Sequence, residues 1–315
     1  MRLHWFFLRL VVDAMFRFVL PLAARLPLRL GMGIATLLGY LCYRLDLDWR
    51  TVGLRSHYVR HKTRLAMAEI TPHLSDEAVE MLVVERFLNA SREELEGHWF
   101  ALDRARECIC TFDGLDAVKH QLSSGKGLVL LTMHFDAALM GFVQQGLAGC
   151  KLNLMTSNVV EDARVAPSVQ RYFQRKYVGI ESYVHGGKAL FVETKLKYFY
   201  DVLKRGEGIV VLSEAPTGQV TDAQKIRFLG KLRAVAPGAF RMAQKRGCPM
   251  AAFVCLRLGA GRYKVVFSPV YDCSPDFGHA ANADRLFAFF SEHIRANPGA
   301  WWAADQLPNF LNFDD

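Results

Sequence analysis

The sequence predicts an α/β protein: a mixed, mainly parallel sheet flanked by helices, preceded by a membrane-associating helical region. Three observations carry this prediction. After Gly114, short apolar runs alternate with helical stretches, a βαβ succession that demands parallel strands joined by right-handed crossovers. The last two runs, 249–256 and 263–268, are separated by only a few residues around Gly259 and Gly261, so they form a hairpin and mix the sheet. The start of the chain is apolar and aromatic, with its few charges at helical spacing. The expected division is therefore residues 1–45 as membrane-associating helices and 46–315 as an α/β domain with a helical start.

With 315 residues, 51% of them hydrophobic and 22% charged, the chain can bury a sizeable core and does not have the composition of a disordered protein. The formal charge of +8 favours anionic partners, but the basic residues are not gathered into one tract, which argues against nucleic acid. Seven cysteines are scattered without CxxC pairing and read as reduced core thiols.

Residues 3–20 form the first helix. Trp5, Phe6, Phe7, Phe16 and Phe18 make it apolar, while Arg9, Asp13 and Arg17 recur every fourth residue as one polar stripe. Such a helix lies in the plane of a bilayer surface, whereas a spanning helix would carry three charges inside. Pro21 and Pro27 break the chain, and the uncharged stretch 30–43 has 14 residues, short of the roughly 20 a crossing needs. It reads as interfacial or re-entrant. No A-x-A-like site follows, so removal as a signal peptide is not expected.

From Arg50 to Phe100 the pattern is helical, with Ser75 as the N-cap of a long helix. His57 and His61 stand one turn apart, but Arg55, Arg60, Lys62 and Arg64 surround them and would repel a cation. No metal site is expected. The predicted strands are 127–132, 151–156, 180–184, 208–213, 249–256 and 263–268; the predicted helices are 137–145, 165–176, 187–205 and 238–245.

If those strands are parallel, His134, Ser157, His185 and Glu214 all follow strand ends on one edge, where α/β sheets bind ligands. Leu128 to Leu131 form a buried run that stops at His134, and GIVVLSEAPTG carries another straight into Glu214 and a Pro/Gly turn. A carboxylate beside a histidine orients the imidazole and stabilises its protonated form, as general-base catalysis requires. Glu214 could instead pair with Lys225 or Arg227 in a loop. Asp136, two residues after His134, is a second carboxylate, though its place before Ala137 suits an N-cap. No serine or cysteine shares the motif, which favours direct activation of an acceptor hydroxyl or amine over a covalent intermediate. Between Thr221 and Gly247 seven basic residues, among them Lys225, Arg227, Lys231 and Arg233, face one acid, and such a surplus favours an anionic ligand. The GKG at Gly125 to Gly127 lacks phosphate-loop spacing and precedes a strand, so no nucleotide cofactor is indicated.

The block DGLDAVKHQLSSGKGLVLLTMHFDAALMG resembles that of the lipid A late acyltransferases, the lauroyl and myristoyl transferases of the lysophospholipid acyltransferase superfamily. Arg175 before Gly179, RGEGIVVLSEAPTG, FLGKLRAVAPG and PGAWWAADQLPNF follow in the order of that family's later blocks. The resemblance implies an α/β enzyme held peripherally or monotopically at the cytoplasmic face of the inner membrane. It would move a fatty acyl chain from acyl carrier protein or CoA to a hydroxyl or amine of a membrane lipid or glycolipid, with no cofactor. The family's signature is a histidine, four residues and an acid; His134 matches, while Leu139 stands where the acid would be. Glu214 or Asp136 would then serve His134, and Arg175 and the basic stretch would hold the anionic donor or acceptor. The competing class is a catalytically lapsed protein of the same fold that binds lipid or acyl carrier protein.

Overall fold

The computed structural model describes residues 2–54, 56–214, 223–272 and 279–313. Nine strands are described: β1 Ile109–Asp113, β2 Leu128–Thr132, β3 Leu152–Thr156, β4 Ala189–Phe191, β5 Gly208–Leu212, β6 Gln224–Phe228, β7 Lys231–Val235, β8 Met250–Gly259 and β9 Arg262–Phe267. Seven make the main sheet, in the order β1-β9-β8-β2-β5-β3-β4. The five strands from β8 to β4 are parallel to one another; β9 runs antiparallel to β8, and β1 pairs parallel with β9. β6 and β7 form a separate antiparallel hairpin. The mixed, mainly parallel α/β sheet is therefore the architecture, with β2 at its centre and every residue of β2 buried, as a strand covered on both faces requires.

Two expectations are corrected. Residues 180–184 are not a strand: they close the helix Pro167–Glu181 and the turn after it, and Ile180 and Val184 are buried there as the helix end docks. The short β4 follows instead, so the helix expected over 187–205 begins only at Val192. His185, exposed and with φ 51°, consequently precedes a parallel strand and lies at the edge opposite His134. The helices expected at 137–145 and 238–245 are present as Ala138–Leu147 and Gly238–Arg246.

The chain opens with a helix, Arg2–Ala14, that runs through a π-helical segment, Met15–Val19, into Leu20–Ala23. One face, with Leu8, Val12, Phe16 and Leu20, is buried against the rest of the protein, while Phe6, Phe7, Leu10, Phe18 and Leu22 face outward. Asp13 accepts a hydrogen bond from Ser168 Oγ at 2.5 Å and stays 3.6 Å from Arg17 Nε, one turn on in the polar stripe that the spacing suggested. Among the described residues no helix is long and apolar enough to cross a membrane.

The long helix Asp76–Ala101 is capped by Ser75, whose hydroxyl accepts from the Ala78 amide. The helix Leu28–Leu45 crosses it at Gly39, so closely that a Cβ there would lie 2.6 Å from Leu88 Cα and 2.8 Å from the Phe87 carbonyl oxygen. Both obstacles are backbone and cannot rotate away. Gly39→Ala should therefore lower stability by about 1–3 kcal/mol, read as a lower denaturant midpoint; an unchanged midpoint would mean that the two helices can separate at no cost.

Candidate active site

β2 and β5 run in register with partners 80 residues apart, from Leu128 and Gly208 to Thr132 and Leu212. The Ser213 amide continues the ladder by donating to the Thr132 carbonyl at 2.9 Å. One residue further, the same register sets Glu214 beside His134. The His134 amide donates to Glu214 Oε1 at 2.8 Å and Oε2 at 3.0 Å, and His134 Nδ1 meets Glu214 Oε1 in a short contact. The Glu214 side chain is 6% exposed and that of His134 26%, so the carboxylate is enclosed while the imidazole stays reachable. Burial by itself would lower the His134 pKa, but the charge of Glu214 and its hydrogen bond outweigh that, and the net shift is upward. With Nδ1 occupied, Nε2 is the nitrogen free to take a proton. Ser157 shares this edge, its hydroxyl bonded to Glu193 at 2.7 Å. The Pro/Gly turn expected after Glu214 falls outside the described residues, as does Cys273.

Asp136 does neither of the things its position suggested. The helix Ala138–Leu147 has Ala137 as its N-cap, with no side-chain cap. Asp136, at φ 50°, a left-handed conformation that Asp tolerates, aims its carboxylate at Arg257: Oδ2 accepts from the Arg257 amide at 2.7 Å and Oδ1 from Nη1 at 2.5 Å. Arg257 also binds Glu96 at 2.8 Å. The turn is fixed on its other side by the end of the chain, because the Asp136 amide donates to the Ala300 carbonyl and the Trp302 amide to the His134 carbonyl, each at 2.8 Å.

Trp302 lies against the imidazole, ring centroids 4.7 Å apart, and behind it sits a group that reading the sequence missed. Arg50 and Arg86 bridge Asp48 and Asp305 at 2.9–3.1 Å, Arg86 Nε donates to the Trp302 carbonyl at 2.8 Å, and the Arg50 guanidinium rests over the Trp302 ring. Burial alone would raise the pKa of Asp48 and Asp305, but the two arginines reverse it and hold both carboxyls below the usual range. One signal existed: Arg86, Asn89, Glu93 and Glu96 fall at i, i+3, i+7 and i+10 of one helix and are all buried, a polar stripe facing inward.

His134 and Glu214 open onto a cavity of about 640 Å³ with walls such as Leu139, Leu154, Val160, Phe173, Val211 and Phe240. Two cations line it, Lys176, buried and 3.5 Å from Glu93, and Arg50, already paired with Asp48 and Asp305. Glu94 also lines it, its carboxyl pushed up to about 8 by burial and by the charge of Asp48. Arg175, the neighbour of Lys176, faces away from this cavity and is exposed. The four basic residues expected to hold substrate are split. Pairing alternates along the β6–β7 hairpin, so Lys225 and Arg227 project on one face and Lys231 and Arg233 on the other. Lys231 and Arg233 are ion-paired with Glu69; neither Lys225 nor Arg227 binds Glu214. Among the described residues no group of three or more metal-binding side chains occurs.

Because Arg86 is fully buried, Arg86→Met should cost about 3–5 kcal/mol, the loss typical when one partner of a buried ion group is removed. Denaturant unfolding measures it. A loss under 1 kcal/mol would show that the quartet does not hold the end of the chain against the His134 turn.

A comparison with curated proteins finds no match. The family described as bacterial lipid A biosynthesis acyltransferase matches residues 50–306, a span that takes in Arg86, the whole sheet, the His134–Glu214 pair and Asp305, and the chain belongs to that family.

Proposed function

We propose that this member of an acyltransferase family moves a fatty acyl chain from a thioester, on acyl carrier protein or CoA, to a hydroxyl or amine of a membrane lipid or glycolipid. The observation that carries the reading is the Glu214–His134 pair at the mouth of an apolar cavity of about 640 Å³, within the range of small-molecule sites. His134 Nε2 takes the proton of the acceptor hydroxyl as its oxygen attacks the thioester carbonyl. Glu214 holds the ring and balances the imidazolium that results. The C–O bond forms, the C–S bond breaks, and His134 returns the proton to the departing thiolate. Lys176, rather than Arg175, supplies the cation inside the cavity for the developing oxyanion. For the acidic carrier or the CoA phosphates, the exposed Lys225 and Arg227 are the basic residues left.

The test is turnover by the purified chain, with acyl carrier protein and CoA thioesters and a membrane lipid extract, read by mass spectrometry of the lipids. His134→Ala should abolish product; product formed at the wild-type rate would overturn the reading. The base acts when neutral, and the pKa of His134 is raised above the ordinary 6.5, so kcat/KM should climb with pH through a limb above that value. In Glu214→Gln the two largest raising influences, the charge and the hydrogen bond of Glu214, disappear and burial remains, so the limb should move to lower pH while the plateau falls by ~10²-fold or more. Lys176→Met should lower kcat more than it raises KM, as the loss of a contact made in the transition state does. Asp136→Asn should reduce stability through Arg257 without moving the pH limb.

We place the enzyme peripherally on the inner membrane, its outward row of Phe6, Phe7, Leu10, Phe18 and Leu22 in the acyl boundary, with Arg9 and Arg17 at headgroup level. Phe6 and Phe18 are 61% and 62% exposed, and aromatic burial on this scale outweighs the ~1 kcal/mol that each surface arginine adds. Replacing Phe6, Phe7 and Phe18 by serine should stop co-flotation with anionic liposomes, even at low salt. Undiminished flotation would assign membrane contact to another face.

A further inference from the structure

On the far side of the helix Pro167–Glu181 from the acyl cavity lies a second hollow of about 470 Å³, walled in part by Arg25, His98, Leu102, Gln174, Arg175 and Val178. No Asp or Glu lines it among the described residues. Arg25 spends one N–H on the Pro21 carbonyl at 2.9 Å, and Arg175 makes no hydrogen bond or ion pair among the described residues. His98 is 8% exposed, and its buried Nε2 has no hydrogen-bond partner. Its pKa is lowered to about 4 by burial and by the charges of Arg175, Lys176 and Arg25, so both arginines act on one ring that stays neutral at pH 7.

Two guanidiniums and a buried ring nitrogen without a partner, gathered with no carboxylate, are an arrangement that favours an anion. Buried polar atoms left unpaired and like charges left uncompensated both cost stability. The surroundings narrow the choice of anion. Leu102 and Val178 line the hollow with 38% and 72% exposure, and the lining residues Pro21 and Arg25 are followed in the chain by Leu22 and Leu26, also exposed, with Phe18 and Leu22 in the outward apolar row of the first helix. Charge sits in the hollow and apolar surface around it, the order of a lipid's phosphate and its chains.

We propose that this hollow binds the phosphate of an anionic membrane lipid, with Arg25 and Arg175 as its charge contacts and His98 as a hydrogen-bonding group beneath them. The site stands apart from the reaction at His134 and does not rest on it. Arginine suits the role, because its fork matches a phosphate in two-point geometry.

The probes are dihexanoyl phosphatidic acid, dihexanoyl phosphatidylcholine and inorganic phosphate, titrated calorimetrically into the full chain in a neutral detergent. Saturable one-site binding of the phosphatidic acid is expected, with the phosphatidylcholine at least tenfold weaker and inorganic phosphate weaker but competitive. Arg25→Gln with Arg175→Gln should weaken phosphatidic acid binding by roughly tenfold or more, and circular dichroism should show the fold unchanged, since both side chains are exposed. His98→Phe should weaken it too, whereas His98→Gln, which keeps a hydrogen-bonding group, should restore part of the loss. Equal binding of the two lipids, or wild-type affinity in the double arginine variant, would overturn the proposal. Inorganic phosphate binding as tightly as the phosphatidic acid would reject the lipid as the source of the phosphate.

Discussion

The geometry around His134 depends on a buried ionic quartet far from it in sequence. Arg50 and Arg86 with Asp48 and Asp305 make a neutral set of two guanidiniums and two carboxylates, and the side chains of Arg86 and Asp305 have no exposure at all. Burying such charges is costly, and an isostructural apolar group is often at least as stable. What the quartet adds is direction. Guanidinium forks donate to carboxylates in only a few orientations, so residues 48–50, the middle of the long helix and residues 302–305 are held in one arrangement. Trp302 is fixed in consequence, and through its amide and ring it fixes His134.

Sequence patterns report the burial of a segment better than they report its distant partners. The runs 127–132 and 208–213 were legible because β2 and β5 lie in the middle of the sheet and consist almost wholly of branched apolar residues. Once they are read as neighbours, His134 and Glu214 meet. β1 escaped because it is an edge strand of alternating exposure, and β6 because Lys225 and Arg227 give it the look of a charged loop. At 180–184 the apolar residues of a docking helix end imitated a strand, and His185 was carried to the wrong edge with them. Asp305 and Lys176 were out of reach for another reason: their roles come from contacts across 219 and 83 residues of chain, and nothing local marks them.

Leu139 makes sense in this setting. It sits in the first turn of the helix after His134, 4% exposed and lining the cavity, at the place where the family resemblance leads one to expect an acid. The carboxylate comes instead from the adjacent strand, and it grips the backbone amide of His134 as well as the ring. An acid on a helical turn would orient the ring alone, whereas Glu214 ties the ring to the β2–β5 register. The turn that carries His134 is thereby locked from three directions: Glu214 on one side, Arg257 through Asp136 on another, and the end of the chain on the third.

The helix Pro167–Glu181 stands between the two hollows, and its sequence explains how it can serve both. Consecutive residues of an α-helix point about 100° apart, so Arg175 can turn to the outer hollow while Lys176 enters the cavity beside His134. His98 registers the charge of both, and its ring packs on Tyr172, 4.9 Å away, which lines the same cavity as Lys176. Gly97 lets this happen: a Cβ there would fall 2.2 Å from the Tyr172 hydroxyl, so a side chain at that position would push the tyrosine away from the long helix. A phosphate held by Arg175 would therefore bear on the same short span of helix that positions Lys176. Adjacent residues on a single turn thus put one positive charge in each hollow, Arg175 in the outer and Lys176 in the inner.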